Sequence, residues 1–359
     1  MRILLAGSTG FIGRNLLSHL ECLPNTKVFC ASRSTSHNDL KEELKICDII
    51  IHLAGESRSR ENSNAFLDNI RYTEQIINYA DKKKRIIFTS TNKQNHLAYW
   101  QAKQTEEQLI KNHFSNHTIV RMDNVFGKWA KPFYNSVVAT FLQGTIEAKP
   151  FQLFDELTPI DFLYIDEVME RMIELIHQPT SPSLLVWKGT FQIHAKGLLD
   201  MVQSIHQEYQ SGQFLIYKDA FKQRLALTYL TYLPENQLIL KPTQYPDARG
   251  NFIELTKNEM KGQSSINLIH PGFIKGNHFH HQRWEKFMIL AGQGVVKLKQ
   301  KFTNKVLSFE ASHFTHQLIT IPPGYIHLIE NTGKDNMLVW MWSSLVYDAN
   351  HPDTYADKI

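Results

Sequence analysis

The sequence predicts an α/β domain built on a doubly wound parallel sheet, followed by an all-β barrel. An apolar strand at the start runs into the glycine-rich turn Gly7-Ser-Thr-Gly10-Phe-Ile-Gly13 and then into a helix with one apolar face. Beyond the prolines at positions 242 and 246, the helical pattern gives way to short alternating strands. Because 359 residues suffice for two hydrophobic cores, we predict domains at residues 1–243 and 244–359.

The first domain opens with the strand, turn and helix that bind dinucleotides. Gly7 permits the tight turn, Gly10 lets backbone amides approach a pyrophosphate at the helix N-terminus, and Gly13 allows close packing of helix on strand. Strands at 27–31 and 48–53 follow, and their alternation with helices predicts a Rossmann fold. We therefore expect the cofactor to contact the turn and the ends of the second and third strands: Gly7, Thr9, Gly10, Phe11, Ile12, Gly13, Arg33, Leu53, Ala54 and Gly55.

Arg33 determines which cofactor is predicted. It follows the second strand, where an acidic residue would bind the adenosine ribose hydroxyls of NAD. A guanidinium at that position suits a 2′-phosphate, so the sequence favours NADPH. The alternative interpretation is a solvated surface arginine after a strand.

Thr91, Tyr99 and Lys103 form the predicted catalytic group of the first domain. A fourth strand at 86–91 ends at Thr91, and Tyr99 and Lys103 share one face of the following helix because they are one turn apart. There the ammonium can lower the pKa of the phenol and contact the cofactor ribose. Tyr99 would act as a general acid toward a carbonyl whose oxygen Thr91 also binds, and the cofactor would supply the hydride.

The second domain has the pattern of a small barrel or jelly roll. Alternation of apolar and polar residues predicts short strands that glycine or polar turns separate. The predicted strands are 252–255, 265–269, 287–290, 294–298 and 338–342.

Two histidine motifs in the second domain predict a metal site. His278 and His280 alternate along a strand, so both can face the barrel interior, and Glu285 follows within reach. His327, after a Pro-x-Gly turn, completes a set of three histidines and one glutamate that suits a divalent metal. The spacing matches the two motifs of cupins, except that His316 stands where the second motif usually opens with glycine.

Composition argues against several classes of partner and location. The chain has 39 Lys and Arg against 35 Asp and Glu, a net charge of +4, and its basic residues are scattered, so nucleic acid is not predicted. The 3 cysteines lie in the first domain without metal-ligand spacing or a disulfide framework, which fits a reducing cytoplasm. The opening apolar run is too short for a signal peptide, and no segment has the apolar length of a membrane span.

These motifs together resemble a known family. The glycine turn, Tyr99, Lys103 and the stretch Arg121-Met-Asp-Asn124-Val-Phe-Gly127 resemble extended short-chain dehydrogenases that act on nucleotide sugars. Their fusion to a cupin resembles the CapF family, bifunctional UDP-sugar enzymes of UDP-N-acetyl-L-fucosamine and capsular polysaccharide biosynthesis. The resemblance covers nearly the whole chain, and the stretches that carry it include residues 52–55, 126–129, 131–141, 247–250, 275–281 and 350–355.

The resemblance implies two reactions. The reductase half uses NADPH to reduce the C4 ketone of a UDP-2-acetamido-2,6-dideoxy-hexos-4-ulose, and this step is assigned to Thr91, Tyr99 and Lys103. The product resembles UDP-N-acetyl-6-deoxy-L-talosamine. The cupin half binds zinc and inverts C3 before reduction, where the proton is acidic because it adjoins the ketone. A cation near the ketone oxygen would stabilise an enolate. By analogy we also expect a homodimer.

Some roles implied by the resemblance stay open. Lys286 and His281 are candidates for the base that acts at C3, and the alternative is that both merely face solvent. Trp129, Lys131, Tyr134 and Asn135 could stack on or hydrogen-bond the nucleotide sugar, or could equally be packing residues. The predicted substrate contacts are Asn124, Trp129, Lys131, Tyr134 and Asn135.

Other functions compete with the bifunctional one. A sugar-nucleotide 4-epimerase would retain and recycle NAD, whereas a net reductase consumes NADPH, and Arg33 favours the reductase. A single-step reductase would use the cupin only as a structural, metal-held dimerisation module. A non-catalytic redox sensor is disfavoured because Tyr99 and Lys103 are both present.

Overall fold

The computed structural model describes residues 1–58, 64–93, 97–153, 156–178, 181–241, 243–247, 250–254, 263–345 and 350–359. Parts of the loop between Thr91 and Tyr99, of the 247–250 stretch and of the strand predicted at 252–255 lie outside these residues. The chain divides into two compact units, Met1–Thr140 with Asp155–Ala195, and Phe141–Phe154 with Lys196–Ile359. The domain boundary at 243/244 therefore stays a prediction, since the contacts group the residues before it with the C-terminal strands.

Strands and helices alternate along the first unit. Polar or glycine residues precede several helices, and Ser36 caps one of them by accepting the amide of Asp39. The elements are β1 (Arg2–Ala6), α1 (Phe11–Leu20), β2 (Lys27–Ala31), α2 (His37–Ile46), β3 (Ile49–His52), α3 (Ala65–Tyr79), β4 (Arg85–Thr91), α4 (Leu97–His113), β5 (Asn116–Met122), β6 (Asn124–Phe126), α5 (Val137–Ile146), β7 (Pro159–Tyr164), α6 (Ile165–His177), β8 (Leu184–Trp187) and β9 (Phe191–His194), with α5 crossing into the second unit.

Six parallel strands form the main sheet of the first unit, in the order β2-β1-β3-β4-β5-β8. Every residue of β3 is buried, so both faces of the sheet are covered, as parallel sheets require. β2 and β3 pair with opposite edges of β1, so the sheet grows in two directions from β1. Open α/β sheets bind ligands beyond the carboxyl ends of the strands at such a reversal. The predicted α/β fold is confirmed, and the glycine turn lies at this crevice.

A smaller sheet in the same unit has the order β6-β7-β9. β6 and β7 run parallel, with Asn124 opposite Phe162, and β9 runs antiparallel to β7. This sheet places Asn124 and the chain that follows β6 on a rigid element.

Among the described residues, the second unit also contains two further α-helices and the remaining strands. Residues predicted as strands at 265–269, 287–290, 294–298 and 338–342 all lie in strands. The elements are α7 (Ala195–Gln210), α8 (Ala220–Leu230), β10 (Ile239–Leu240), β11 (Thr243–Asp247), β12 (Gly250–Glu254), β13 (Gln263–Ile269), β14 (Ile274–Phe279), β15 (Glu285–Ala291), β16 (Gln293–Gln300), β17 (Val306–Ser312), β18 (Leu318–Ile321), β19 (Tyr325–Asn331), β20 (Met337–Ser343) and β21 (Tyr355–Ala356).

Two antiparallel sheets of five strands dominate this unit, in the orders β10-β18-β15-β20-β13 and β17-β16-β19-β14-β21, and β11 pairs with β12. The all-β class predicted for the C-terminal half is confirmed. Among the described residues the strand pairings leave two separate sheets, each with free edges, so a closed cupin barrel stays a prediction.

Aromatic side chains cover one face of the sheet that contains β15. Phe214, after α7, lies 4.6 Å from Trp342 between ring centroids, and Trp284 lies 4.8 Å from Trp342. The hydroxyl of Tyr209 on α7 donates to the carbonyl oxygen of Gln237 at 2.7 Å. Helix α7 and the loop after it therefore seal that face with large apolar area.

None of the helices in the described part of the chain has both the length and the apolar character needed to cross a bilayer.

Candidate functional site

The glycine turn after β1 leaves bare backbone at the start of α1. Gly7 has a φ of +90°, and a Cβ there would stand 2.6 Å from the backbone nitrogen of Ala54, which follows β3. A Cβ on Gly13 would collide with the carbonyl oxygen of Gly7. The amide of Gly10, the N-cap residue of α1, donates to that same oxygen at 3.0 Å. Glycine at positions 7 and 13 therefore lets the turn pack closely against the chain after β3 and against α1, which is the backbone arrangement that binds the pyrophosphate of a dinucleotide in Rossmann folds.

Arg33 lies at the carboxyl end of β2 with 82% of its side chain exposed, and its guanidinium forms an ion pair with Glu56. Asn69 holds Glu56 in place, accepting its amide at 2.7 Å and donating to its carbonyl at 2.9 Å. A 2′-phosphate would have to share Arg33 with this carboxylate. NADPH therefore stays a prediction. Glu56 was missed in the sequence, because nothing in its local pattern indicates a partner 23 residues away.

Lys103 is buried within α4, with only 3% exposure. Its ammonium lies 3.1 Å from Glu106 Oε2 and 4.4 Å from the centroid of Phe88. It is also 3.3 Å from where a Cβ on Gly55 would stand, so it reaches the loop after β3. Burial lowers the pKa of Lys103, but the carboxylate of Glu106 and the nearby Tyr99 and Glu107 outweigh it, and the net pKa is raised. The ammonium is held charged beside the crevice.

A buried hydrogen-bond chain continues behind Glu106. Thr73 Oγ1 donates to Glu106 Oε1 at 2.8 Å, and His52 Nε2 lies 2.9 Å from the same hydroxyl. Because the single hydroxyl proton goes to Glu106, His52 Nε2 must be the donor in its pair. Burial, with a contribution from the Lys103 charge, lowers the pKa of His52 to about 3, so the ring is neutral near pH 7. No local sequence pattern indicates this hydrogen-bond chain, since its members come from β3, α3 and α4.

Tyr99 and Thr91 flank Lys103 along the chain. Tyr99 lies in the first turns of α4, with its ring 5.7 Å from that of Phe66, and it contributes to the raised pKa of Lys103. Thr91 is the last residue of β4, and its hydroxyl accepts the amide of Lys93 at 3.1 Å. The structure thus brings Tyr99 and Lys103 together and puts Thr91 at the carboxyl end of the neighbouring strand.

Several predicted substrate residues lie in the loop after β6, and hydrogen bonds connect this loop to the loop after β3. Tyr134 donates its hydroxyl proton to Glu56, and Asn135 Nδ2 donates to Ser57 Oγ at 2.7 Å. Arg58 donates to the carbonyl oxygen of Tyr134 at 2.6 Å. These contacts fix the loop position, and whether the same side chains touch substrate stays a prediction.

The remaining predicted substrate residues lie close by. Lys131 Nζ lies 5.3 Å from the ring of Tyr134, and Trp129 adopts a left-handed φ of 70°. Asn124 donates to the carbonyl oxygen of Asp161 at 3.1 Å, an interaction that supports the small sheet.

In the second unit, His278, His280 and His327 come together with Glu285. Each histidine offers a nitrogen within 4.8 Å of those of the other two. Glu285 Oε2 lies 3.5 Å from His280 Nε2 and 3.3 Å from His327 Nε2. Four ligand atoms about 2.1 Å from one ion lie roughly 3.4 Å apart in a tetrahedron, so these separations match such a site.

The protonation of this group also suits a cation. Burial, and then the neighbouring His327 and His280, lower the pKa of His278 to about 4. Burial would raise the pKa of Glu285, but His280 and His327 outweigh it and hold the pKa well below its usual range. A neutral imidazole at His278 and an ionised carboxylate at Glu285 are forms that bind metals. Among the described residues, His280 Nε2 and Glu285 Oε2 are buried without a hydrogen bond, and a divalent metal would satisfy both.

The two candidate base residues lie in different surroundings. Lys286 points to the opposite face of β15 from Glu285, as alternation requires, and its ammonium lies 5.3 Å from the ring of Tyr209 and 5.8 Å from that of Phe214. Burial lowers the pKa of Lys286 to about 7. His281 is buried after β14, with its ring 4.8 Å from that of Tyr355. The structure therefore does not bring Lys286 into the histidine group. Both residues are buried, so the alternative that they face solvent is wrong.

Two family profiles match the chain. The NAD dependent epimerase/dehydratase family matches residues 3–184, and the polysaccharide biosynthesis C-terminal domain matches residues 245–355. Together the two matched stretches reach from near the start of the chain to near its end.

Two similar proteins match over the full length of the chain. UDP-2-acetamido-2,6-beta-L-arabino-hexul-4-ose reductase from Pseudomonas aeruginosa is 29% identical over 368 residues, which cover 100% of this chain and 99% of that protein. The crystal structure of the capsular polysaccharide assembling protein CapF from Staphylococcus aureus is 30% identical, with a TM-score of 0.63 and 100% of both chains covered. A UDP-glucose 4-epimerase from Thermotoga maritima shares the fold alone, with 17% identity, a TM-score of 0.53, and coverage of 65% of this chain and 98% of its own. The predicted resemblance to CapF is confirmed.

Proposed function

This chain belongs to the NAD dependent epimerase/dehydratase family, and on that premise we propose that it is a bifunctional nucleotide-sugar enzyme of capsular polysaccharide biosynthesis. Its first unit reduces the C4 ketone of a UDP-2-acetamido-2,6-dideoxy-hexos-4-ulose with NADPH. Its second unit epimerises C3 of the same sugar at a zinc site, so that the combined product is UDP-N-acetyl-6-deoxy-L-talosamine. The full-length match to the Pseudomonas reductase and to CapF supports the substrate class.

The observation that carries the reductase proposal is the buried pair of Lys103 and Glu106 beside Tyr99. When bound, the nicotinamide cofactor supplies the hydride to C4. Tyr99 donates its phenolic proton to the C4 oxygen, and Thr91 donates a hydrogen bond to that oxygen. Lys103, kept charged by Glu106 at 3.1 Å, favours the phenolate that Tyr99 becomes after proton transfer. The glycine turn binds the pyrophosphate through its backbone amides.

The observation that supports the second reaction is the set of His278, His280, Glu285 and His327. A bound zinc ion supplies a positive charge that favours charge build-up on the ketone oxygen. A residue of this chain removes the C3 proton and a proton returns on the opposite face. Of the two candidates we favour His281, because Lys286 is enclosed by aromatic rings on the face of β15 opposite Glu285.

Tyr99→Phe separates the two reactions. The full-length chain is mixed with a UDP-4-keto-6-deoxy-hexosamine in heavy water, NADPH oxidation is followed by absorbance, and the C3 proton is followed by NMR. We expect the variant to lose reduction by at least about 100-fold, because the proton donor to the C4 oxygen is gone. Loss of the C3 proton signal should continue at the wild-type rate.

The control is Tyr79→Phe, which changes a tyrosine of α3 and should leave both rates unaltered. Equal loss of both activities in Tyr99→Phe would contradict two separate sites. Conversion of a 4-hydroxy sugar with enzyme-bound NAD and no net NADPH consumption would instead indicate a 4-epimerase. Reduction without C3 exchange in wild type would indicate a single-step reductase with a structural second unit.

A further inference from the structure

Residues 350–357, here called the Asp353 strap, lie along the strand and loop that carry two of the proposed metal ligands. β21 pairs with β14 so that Tyr355 lies opposite Phe279 and Ala356 opposite His278. Beyond it, the amide of Asp357 donates to the carbonyl oxygen of Asn277 at 3.0 Å. The strap thus runs beside β14 at the point where His278 enters the site.

The carboxylate of Asp353 fixes the loop between β14 and β15. It accepts the amides of His281, Gln282 and Arg283 at 2.9, 3.0 and 2.8 Å. That loop connects His280 to Glu285, so the Asp353 side chain fixes the backbone between two of the proposed metal ligands. Asp353 itself has a φ of +40°, a left-handed conformation that aspartate tolerates better than most residues.

The backbone of Asp353 orients His280 directly. His280 Nδ1 lies 2.6 Å from the carbonyl oxygen of Asp353. A carbonyl oxygen can only accept, so Nδ1 must carry the proton, and in the neutral ring the lone pair is then on Nε2. Nε2 lies 3.5 Å from Glu285 Oε2. The hydrogen bond through Nδ1 thus leaves Nε2 as the nitrogen that can ligate a metal beside Glu285.

We infer that Asp353 is a positioning residue of the metal site, which sets the tautomer and orientation of His280 and the loop that leads to Glu285. Groups that hold a ligating histidine through its second nitrogen raise metal affinity in other proteins. The inference rests on the metal site of the proposed function but does not depend on the sugar chemistry. Its signature is a change in metal affinity and ligand geometry with no change in the fold.

The test is titration of the metal-free, full-length chain with Co²⁺, whose visible absorption reports the ligand geometry. Asp353→Gly removes the carboxylate but tolerates the positive φ, and we expect Co²⁺ affinity to fall about 10- to 100-fold with an altered spectrum. Asp353→Asn keeps one acceptor oxygen and should lose only about 2- to 5-fold. The matched control is Asp357→Asn in the same strap, which breaks the 3.3 Å ion pair with Lys301 and should bind Co²⁺ as wild type does.

Thermal melting of the metal-free variants separates binding from folding. Wild-type affinity and spectrum in Asp353→Gly would overturn the inference, and so would an equal loss in Asp357→Asn. If Asp353→Gly fails to fold, Asp353→Asn decides, since an unaltered affinity and spectrum there would also overturn it. A wild-type chain that takes up no Co²⁺ overturns the metal site and the inference together. Strong Co²⁺ uptake that depends on Asp353, without any C3 exchange, overturns only the proposed epimerase.

Discussion

Lys103 in the first unit and Lys286 in the second are both buried, and they are held in opposite ways. Lys103 is 3% exposed and lies 3.1 Å from the carboxylate of Glu106, so its pKa is raised. Lys286 is 0% exposed, its ammonium has no hydrogen-bond partner among the described residues, and burial lowers its pKa to about 7. Burial favours loss of the proton in both lysines, so burial alone does not determine the charge of a lysine. The partner does.

The difference indicates different uses of the two residues. A permanently charged ammonium is suited to stabilising a phenolate or binding a ribose, which is the role proposed for Lys103. An ammonium enclosed by the rings of Tyr209, Phe214 and Trp284 gains only cation–π attraction. Lys286 therefore contributes to the packing of α7 against the sheet as an aliphatic side chain that carries a costly charge.

The largest expected difference is in reduction. Lys103→Met should lower kcat for NADPH oxidation by about 100- to 1,000-fold, because the phenol of Tyr99 loses its cationic neighbour. Lys286→Met should stay within about 3-fold of wild type, because Lys286 belongs to the second unit and has no part in the proposed reduction. The measurement is steady-state NADPH oxidation with the same UDP-4-keto sugar.

Lys103→Met also leaves Glu106 buried without its cation, so folding must be separated from chemistry. The double variant Lys103→Met/Glu106→Gln removes both charges. Its urea midpoint should recover toward the wild-type value while reduction stays low. Recovery of activity in the double variant would show that the defect was structural, and a similar loss in Lys286→Met would remove the contrast between the two lysines.

The next effect tests the partner of Lys103. Glu106→Gln should destabilise the protein by about 3 kcal/mol, because it leaves a buried ammonium without its carboxylate. The raised pKa of Lys103 gives stability that is present below the unfolded lysine pKa and is lost as pH rises through the folded pKa. The free energy of unfolding of Glu106→Gln should therefore fall furthest below the wild-type value at pH values under about 10, and the difference should shrink above that pH. Urea unfolding at several pH values measures this.

Glu42→Gln is the matched control for that variant. Lys45 and Glu42 are also three residues apart on a helix, at 2.6 Å, but both are more than half exposed. An exposed pair of this kind contributes at most about 0.5 kcal/mol, so the control should barely change the urea midpoint. Equal effects of Glu42→Gln and Glu106→Gln would mean that burial adds nothing to the pair.

Local periodicity predicted the parts of both sites that depend on neighbours in sequence. The spacing of Gly7, Gly10 and Gly13 determines a turn. Tyr99 and Lys103 share a helix face whether or not that face is buried. The alternation that pairs His278 with His280 is likewise a property of a few residues. Strands in the C-terminal half followed from the same period, with boundaries that shifted by at most two residues.

What the sequence could not predict depends on residues far apart in the chain. Glu106 is joined to His52 through Thr73, and these residues lie on three different elements. Lys286 was expected near the histidines or in solvent. Its aromatic surroundings could not be predicted, because Phe214, which covers it, lies 72 residues earlier and belongs to no motif. Asp353 fixes His280 from 73 residues away. Such contacts depend on tertiary packing, which a local pattern does not encode.

The smallest expected effect concerns Lys286 and the sign of its pH dependence. Lys286→Met should stabilise the protein by roughly 1–3 kcal/mol near pH 7, because Met fills similar volume without a buried charge. The folded pKa of about 7 lies below that of an unfolded lysine, so between pH 7 and the unfolded pKa the unfolded state binds more protons and wild-type stability rises with pH. The gain in stability from Lys286→Met should therefore be largest near pH 6.5 and shrink steadily toward pH 10, as urea midpoints at both pH values would show.

Lys297→Met on β16, which removes a partly exposed lysine 3.2 Å from Glu330, is the control and should show no such trend. A gain in stability that does not change with pH would mean that the three rings hold the Lys286 ammonium charged, and so would a loss of stability in Lys286→Met. The two lysines would then differ in the chemistry of their partners and not in their charge.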